Sequence, residues 1–125
     1  KHSGTFTPNL IKSEDITKIK FLLKIHKSVS WEFFENKDLI NIYRVLQEAI
    51  QNIIKHSEAD NAFITITQTK NEIKIILSDN GKGFIGNGYS GIGLNNMRNR
   101  INNLGGKLDI QFNNRTYIVM IIPNH

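Results

Sequence analysis

With 125 residues the chain suits one domain, and a fold of this size buries roughly two-thirds of the surface its unfolded form exposes. An apolar content of 39% and a charged content of 22% are ordinary for a soluble globular protein. No apolar run approaches the ~20 residues that span a bilayer, and the lack of cysteine excludes disulfides and thiolate metal sites. The formal charge of +5 is spread along the chain. Lys18, Lys20, Lys24 and Lys27 cluster, but no basic run interleaved with exposed aromatics is evident, so no nucleic-acid partner is expected. Nothing at the N-terminus resembles a signal peptide, which makes a cytoplasmic location the default. Beginning at Lys1 rather than Met, the chain reads as a piece of something longer.

Residues 1–15 are polar, carry Gly4 and Pro8, and read as a tail or linker remnant ahead of a domain over 16–125. From Ile16 to Lys27 a partial alternation puts Ile19, Phe21, Leu23 and Ile25 on one side and lysines largely on the other, which predicts a strand with a wet face. A connection from Ser28 to Asn36 follows, with Trp31 and Phe33 or Phe34 as anchors, and Lys37 opens a helical run to about His56. On that helix Leu39, Ile42, Leu46, Ala49, Ile50 and Ile53 form an apolar stripe, with Arg44, Glu48, Asn52 and Lys55 roughly opposite. Strands over Asn61–Lys70 and Glu72–Leu77 should pair antiparallel through a tight turn. Asp79 to Tyr89 holds too many glycines for a regular element and reads as a mobile loop. Leu94 to Leu104 returns to helical spacing with Leu94, Met97, Ile101 and Leu104 on one face, and Gly105-Gly106 stops it. Strands Lys107–Phe112 and Thr116–Ile122 close the domain.

Three stretches carry the chemistry. Asp79-Asn80-Gly81-Lys82-Gly83-Phe84 joins a carboxylate to a glycine turn 27 residues after Asn52, and Gly91-Ile92-Gly93-Leu94 begins 12 residues after Asp79. Magnesium takes hard oxygen ligands and usually keeps several waters beside phosphate oxygens. The side-chain oxygen of Asn52 suits that, Glu48 one turn earlier could act as a general base or orient a water, and Lys55 and His56 can meet phosphates. Asp79 can accept a hydrogen bond from an exocyclic amine, Gly81 and Gly83 permit close backbone approach at positive φ, and Gly91 and Gly93 lie before a helix whose first N–H groups favour an anion. Each feature alone has a plainer reading: a solvated helix face with a Glu48–Asn52 pair, a helix-terminal cation at His56, and an Asp-Asn-Gly surface turn. Their company in one short chain favours a nucleotide site.

Taken in order and spacing, Tyr43 to His56, the Asp79 glycine box and the run Gly91 to Gly106 resemble the catalytic ATP-binding domain of bacterial sensor histidine kinases, of the nitrate-sensor/desaturase-sensor type, within the GHKL ATPase superfamily. That resemblance implies an α+β fold, a two-layer α/β sandwich whose mixed, mostly antiparallel sheet carries helices on one face. It implies ATP and Mg2+ as cofactors, with Asn52 at the metal, Glu48 as base or water-positioning group, and Lys55 and His56 near the phosphates. Asp79 would read the adenine amino group, Gly81 and Gly83 would shape the pocket, Gly91 and Gly93 would hinge a lid with Leu94 beside the nucleotide, and Thr116 would line the base pocket. Arg115 stands where the family usually has glycine.

None of His2, His26, His56 and His125 is followed by an acidic residue, as the phosphoacceptor histidine of such kinases typically is. The resemblance therefore implies an acceptor histidine on a separate dimerisation domain, a response regulator downstream, a monomeric isolated domain and a homodimeric parent. Two alternatives stay open from sequence: a serine kinase of the anti-sigma-factor kind or an ATPase on the same fold, and a non-catalytic nucleotide-binding module.

Overall fold

Buried apolar residues at every second position over 62–66 and 73–77 build the centre of the molecule. In the computed structural model, which describes residues 19–57, 59–81, 91–112 and 115–123, strands β2 (Asn61–Gln68) and β3 (Glu72–Asp79) pair antiparallel around a turn at 69–71. The Thr69 hydroxyl oxygen accepts hydrogen bonds from the N–H groups of Asn71 and Glu72, both at 3.3 Å, and ties that turn. With β1 (Lys20–Ile25), β4 (Lys107–Phe112) and β5 (Thr116–Pro123) they form a five-stranded sheet in the order β1-β2-β3-β5-β4. Only the β1–β2 pair is parallel among these strands; the other pairings are antiparallel, which gives the mixed sheet expected.

Period-two alternation sends Ala62, Ile64 and Ile66 of β2, Ile73, Ile75 and Leu77 of β3, and Ile118, Met120 and Ile122 of β5 to one face, where all are buried. Helices α1 (Asn36–Asn52) and α2 (Gly91–Asn103) cover that face. Leu39, Ile42, Leu46, Ala49, Ile50 and Ile53 are buried as the stripe predicts, with Val45 added, and Met97, Ile101 and Leu104 bring α2 into the same core. Trp31, in a single 3-10 turn at Trp31–Phe33, and Phe34 anchor the connection before α1. The result is a two-layer sandwich.

Several boundaries differ from expectation, each for a local reason. The α-helix ends at Asn52 and continues as a π turn over Ile53–Ser57 rather than running regularly to His56. Strand β3 extends through Asp79, so that residue belongs to the sheet and not to the loop. α2 starts at Gly91, which makes Gly91 and Gly93 its first and third residues instead of a lead-in. Leu23 and Ile25 share a face with Ile64 and Ile66 by register, yet each is 37% exposed, because β1 is an edge strand with a neighbour on one side only. The tail at 1–15, the start of the expected first strand at 16–18, and the glycine loop from 82 to 90, Gly83 included, lie outside the described residues.

The two glycines after α2 serve separate purposes. Gly105 adopts φ 78°, and the N–H groups of Gly106 and Gly105 bond the carbonyls of Ile101 and Asn102 at 3.0 and 2.9 Å, a Schellman closure that only a residue at ease in the left-handed region completes cheaply. At Gly106 a Cβ would collide with the Ile121 carbonyl and crowd Ile101 and the Ile122 backbone, so glycine there lets β4 start flush against β5.

Candidate functional site

The inward face of the sheet changes character at one end. Along β2, β3 and β5, the register aligns Ile66, Ile75 and Met120 in one row and Ile64, Leu77 and Ile118 in the next. The row after that is Ala62, Asp79 and Thr116. All three are essentially buried, with Asp79 at 0% exposure and Thr116 at 1%. Two large apolar side chains have given way to a carboxylate and a hydroxyl, and a third to a methyl group, so this row is polar and its side chains are smaller.

Asp79 is half satisfied. Its Oδ1 accepts the Gly81 N–H at 2.8 Å, closing an Asx turn. Asp79 Oδ2 and the neighbouring Thr116 Oγ1 are buried with no hydrogen-bond partner among the described residues. A buried polar atom left unpaired costs about 1–3 kcal/mol, and most native structures avoid it. Burial pushes the Asp79 carboxyl above its ordinary value of 3.8, against the opposing pull of the Gly81 N–H and the Arg115 charge. Asn80 fixes the corner: its Oδ1 accepts the N–H groups of Asp60 and Asn61 at 2.9 and 3.0 Å, and its own N–H bonds the Asn61 carbonyl. That clamp went unread in the sequence, where Asn80 is one polar residue in an ordinary turn triplet.

Gly81 takes part in the corner by donating its N–H to Asp79. Arg115 lies away from this buried row. It precedes Thr116, so its side chain leaves on the opposite face, where it is exposed and its guanidinium carbon lies 6.0 Å from the centre of the Phe63 ring.

On α1 the expected polar stripe splits. Arg44, Glu48 and Lys55 are exposed, but Asn52 is only 5% exposed. Asn52 follows the fully buried Val45 by seven residues, which on a 3.6-residue helix brings it within about 20° of Val45. It thus stands at the border of the core-facing stripe, and the π turn begins with the next residue. Such turns recur at functional sites. Glu48 lines a cleft of about 180 Å³ between α1 and α2 with Arg44, Asn96 and Arg100 around it. Arg100 Nη1 donates to Asn41 Oδ1 at 3.0 Å and ties the two helices beside that cleft. Leu94 is half-buried against the core. The backbone of His56 lies in the π turn. The structure therefore brings Asp79, Gly81 and Thr116 together at the strand ends, keeps Asn52 buried at the helix end, and sets Glu48 in the interhelical cleft.

Comparison with known proteins gives a consistent picture. The profile of histidine kinase-, DNA gyrase B- and HSP90-like ATPases matches residues 37–125. The sensor histidine kinase DesK of Bacillus subtilis (strain 168) is 34% identical over 121 residues, which cover 93% of this chain and 32% of that protein. The histidine-protein kinase/phosphatase DegS of Brevibacillus brevis is 36% identical over 88 residues, 67% of this chain and 23% of that protein. The chain thus spans a third or less of the length of these relatives. Among solved structures, the histidine kinase domain of the blue-light activated kinase of Erythrobacter litoralis EL346 superposes with a TM-score of 0.73 at 16% identity, over 89% of this chain and 54% of that one. The catalytic domain of histidine kinase ThkA, in a nucleotide-free form, gives 0.65 at 19% identity over 86% and 80% of the two chains. These likenesses show the fold.

Proposed function

We propose that this chain, which belongs to the family of histidine kinase-, DNA gyrase B- and HSP90-like ATPases, is the Mg-ATP-binding catalytic domain of a sensor histidine kinase. In this reading it presents the γ-phosphoryl group to a histidine on a separate dimerisation domain of a homodimeric, cytoplasmically acting parent, from which a response regulator takes it. The relatives named as histidine kinases support a histidine acceptor over the serine alternative. The single observation that carries the reading is the pair of buried oxygens at Asp79 and Thr116 that have no hydrogen-bond partner among the described residues.

An adenine edge answers both atoms. Its exocyclic amine donates to Asp79 Oδ2, and the adjacent ring nitrogen accepts from the Thr116 hydroxyl, directly or through a water. Guanine presents a carbonyl where adenine has the amine, so the carboxylate repels it. Ala62 leaves room for the base, and Gly81 holds the carboxylate oriented through its N–H. The cost of burying an ionised Asp79 with only its Oδ1 hydrogen-bonded is offset further when such a donor arrives, which couples affinity to base identity.

Around the phosphates, Asn52 would hold Mg2+, which when bound neutralises charge on the triphosphate oxygens. It is buried at the helix end. Glu48 acts as base or positions a water, Lys55 and His56 meet phosphate oxygens, and the first turn of α2, with Gly91, Gly93 and Leu94, offers to an anion N–H groups that have no partner within the helix. Gly83 would shape the same pocket. Because phosphoryl transfer depends mainly on positioning and charge stabilisation, the isolated domain should bind nucleotide yet turn over little. Calorimetric titration tests this: ATP should bind at least tenfold tighter than GTP, and Asn52→Ala should remove most of the affinity gained on adding Mg2+. Equal affinities for the two nucleotides, or an unchanged magnesium effect in the variant, would overturn the assignments.

A further inference from the structure

The sheet face turned away from the helices has its own pattern, which the nucleotide site does not use. There the register sets Lys74, Ile121 and Lys107 side by side across β3, β5 and β4, and the next row is Ile76, Val119 and Asp109. Strands in a sheet lie about 4.8 Å apart, so the two lysine backbones are roughly 10 Å apart with an isoleucine between them. Ile76, Val119 and Ile121 are half-buried by their neighbours alone, and they floor a groove of about 580 Å³ that wraps the free edge of β4 to reach Arg98 on α2.

Three cations, Lys74, Lys107 and Arg98, line this groove against one carboxylate, Asp109. Lys74 and Lys107 are exposed and have no carboxylate partner among the described residues. The acidic side chain on the wall, Asp109, already accepts a hydrogen bond from Gln111 Nε2 at 3.1 Å. Arg98 covers the edge of β4 by donating from Nε to the Leu108 carbonyl at 3.4 Å, so a further strand is hindered from pairing there, while the rest of its guanidinium contributes positive charge to the groove. An apolar floor between cations suits a chain with apolar and acidic groups in alternation.

From this geometry we infer that the outer face of β3, β5 and β4 is a docking groove for an acidic polypeptide segment whose apolar side chains rest on Ile76, Val119 and Ile121 and whose carboxylates meet Lys74, Lys107 and Arg98. Its occupation is independent of the nucleotide site, which lies on the opposite face. The partner is defined by its chemistry, an alternation of acidic and aliphatic residues.

The test is fluorescence anisotropy of the chain with a short labelled peptide alternating glutamate and valine, beside an all-glutamate peptide of equal charge and vesicles containing phosphatidylserine. The alternating peptide should bind about tenfold tighter than the all-glutamate one, since burying even one aliphatic side chain is worth that factor. Lys74→Glu with Lys107→Glu should weaken it at least tenfold while ATP affinity stays unchanged, and amide shifts should move at Ile76, Val119 and Ile121 rather than at Asp79 and Thr116. Equal binding of both peptides, or binding indifferent to charge reversal, would mean that the lysines only solvate the face. Vesicle binding lost in the same variants without peptide binding would assign the face to an anionic lipid surface and overturn the proposal.

Discussion

Strands β3 and β5 lie side by side for eight residues each, yet their two ends do opposite things. At one end Ile73, Ile75 and Leu77 face Ile122, Met120 and Ile118, a dry apolar interlock under α1 and α2. At the other end the same alternation buries Asp79 against Thr116, with an oxygen on each that has no partner among the described residues. Backbone geometry is continuous across the change, so the difference lies in side chains alone. One end stabilises the fold, and the other spends stability to hold a donor-seeking carboxylate in a dry place. What this teaches is that burial by itself does not mark a residue as core: the chemistry of the buried atoms decides.

Substitutions at the two ends should therefore separate stability from binding. Leu77→Ala, at the last apolar row, is expected to cost about 2–5 kcal/mol of unfolding free energy through lost burial and a cavity, with the preference for ATP over GTP intact in the folded fraction; urea denaturation followed by nucleotide titration reads both. Gly106→Ala, which drives a methyl group into the Ile121 carbonyl at the apolar end, should cost about 1–3 kcal/mol through overpacking, again without altering base preference. A variant as stable as the parent would show that β4 can shift away without loss.

At the polar end the signs reverse. Asp79→Asn should weaken ATP binding by roughly tenfold to a hundredfold, the worth of a hydrogen bond to a charged group, and erase discrimination against GTP. The unliganded fold should not suffer. Because burial raises the Asp79 carboxyl above 3.8 in the folded state, its contribution is most favourable at low pH, where it is protonated in both states, and is lost as pH rises through the raised folded value. The variant should thus gain on the parent as pH increases from the ordinary carboxylate range toward neutrality, and denaturation midpoints across that window measure it. A constant difference at all pH values would remove the buried carboxylate from the account. Thr116→Val, the smallest change, should reduce ATP affinity only a few-fold, consistent with a neutral hydrogen bond of about 0.5–1.5 kcal/mol, and leave the apo protein as stable or slightly more so.

How much of this was legible beforehand differs by residue. The apolar stripe of α1 and the alternation in β2 and β5 are local periodicities, and the buried residues match them. Asp79 was legible as a site residue but not as a strand residue, because Asp-Asn-Gly reads as a turn and nothing local says that the ladder persists to its first position. Asn52 was legible as polar and in a motif, whereas its burial depends on a two-turn offset from Val45 and on what packs there. Asn80 carried no distinguishing signal: its role exists only once Asp60 and Asn61 are brought beside it from a distant part of the chain.

The chain's own order of residues determined which segments would become helix and strand, which faces would be apolar, and which motifs resemble a nucleotide-binding family, since these follow from periodicities and spacings within a few turns. Only the tertiary structure decided that Ala62, Asp79 and Thr116 form one row, that Arg115 turns to the opposite face, and that the lysines of β3 and β4 flank a common groove. The reason is physical: strand register is set by pairing between residues far apart in sequence, and a shift of a single position would exchange every inward side chain for an outward one.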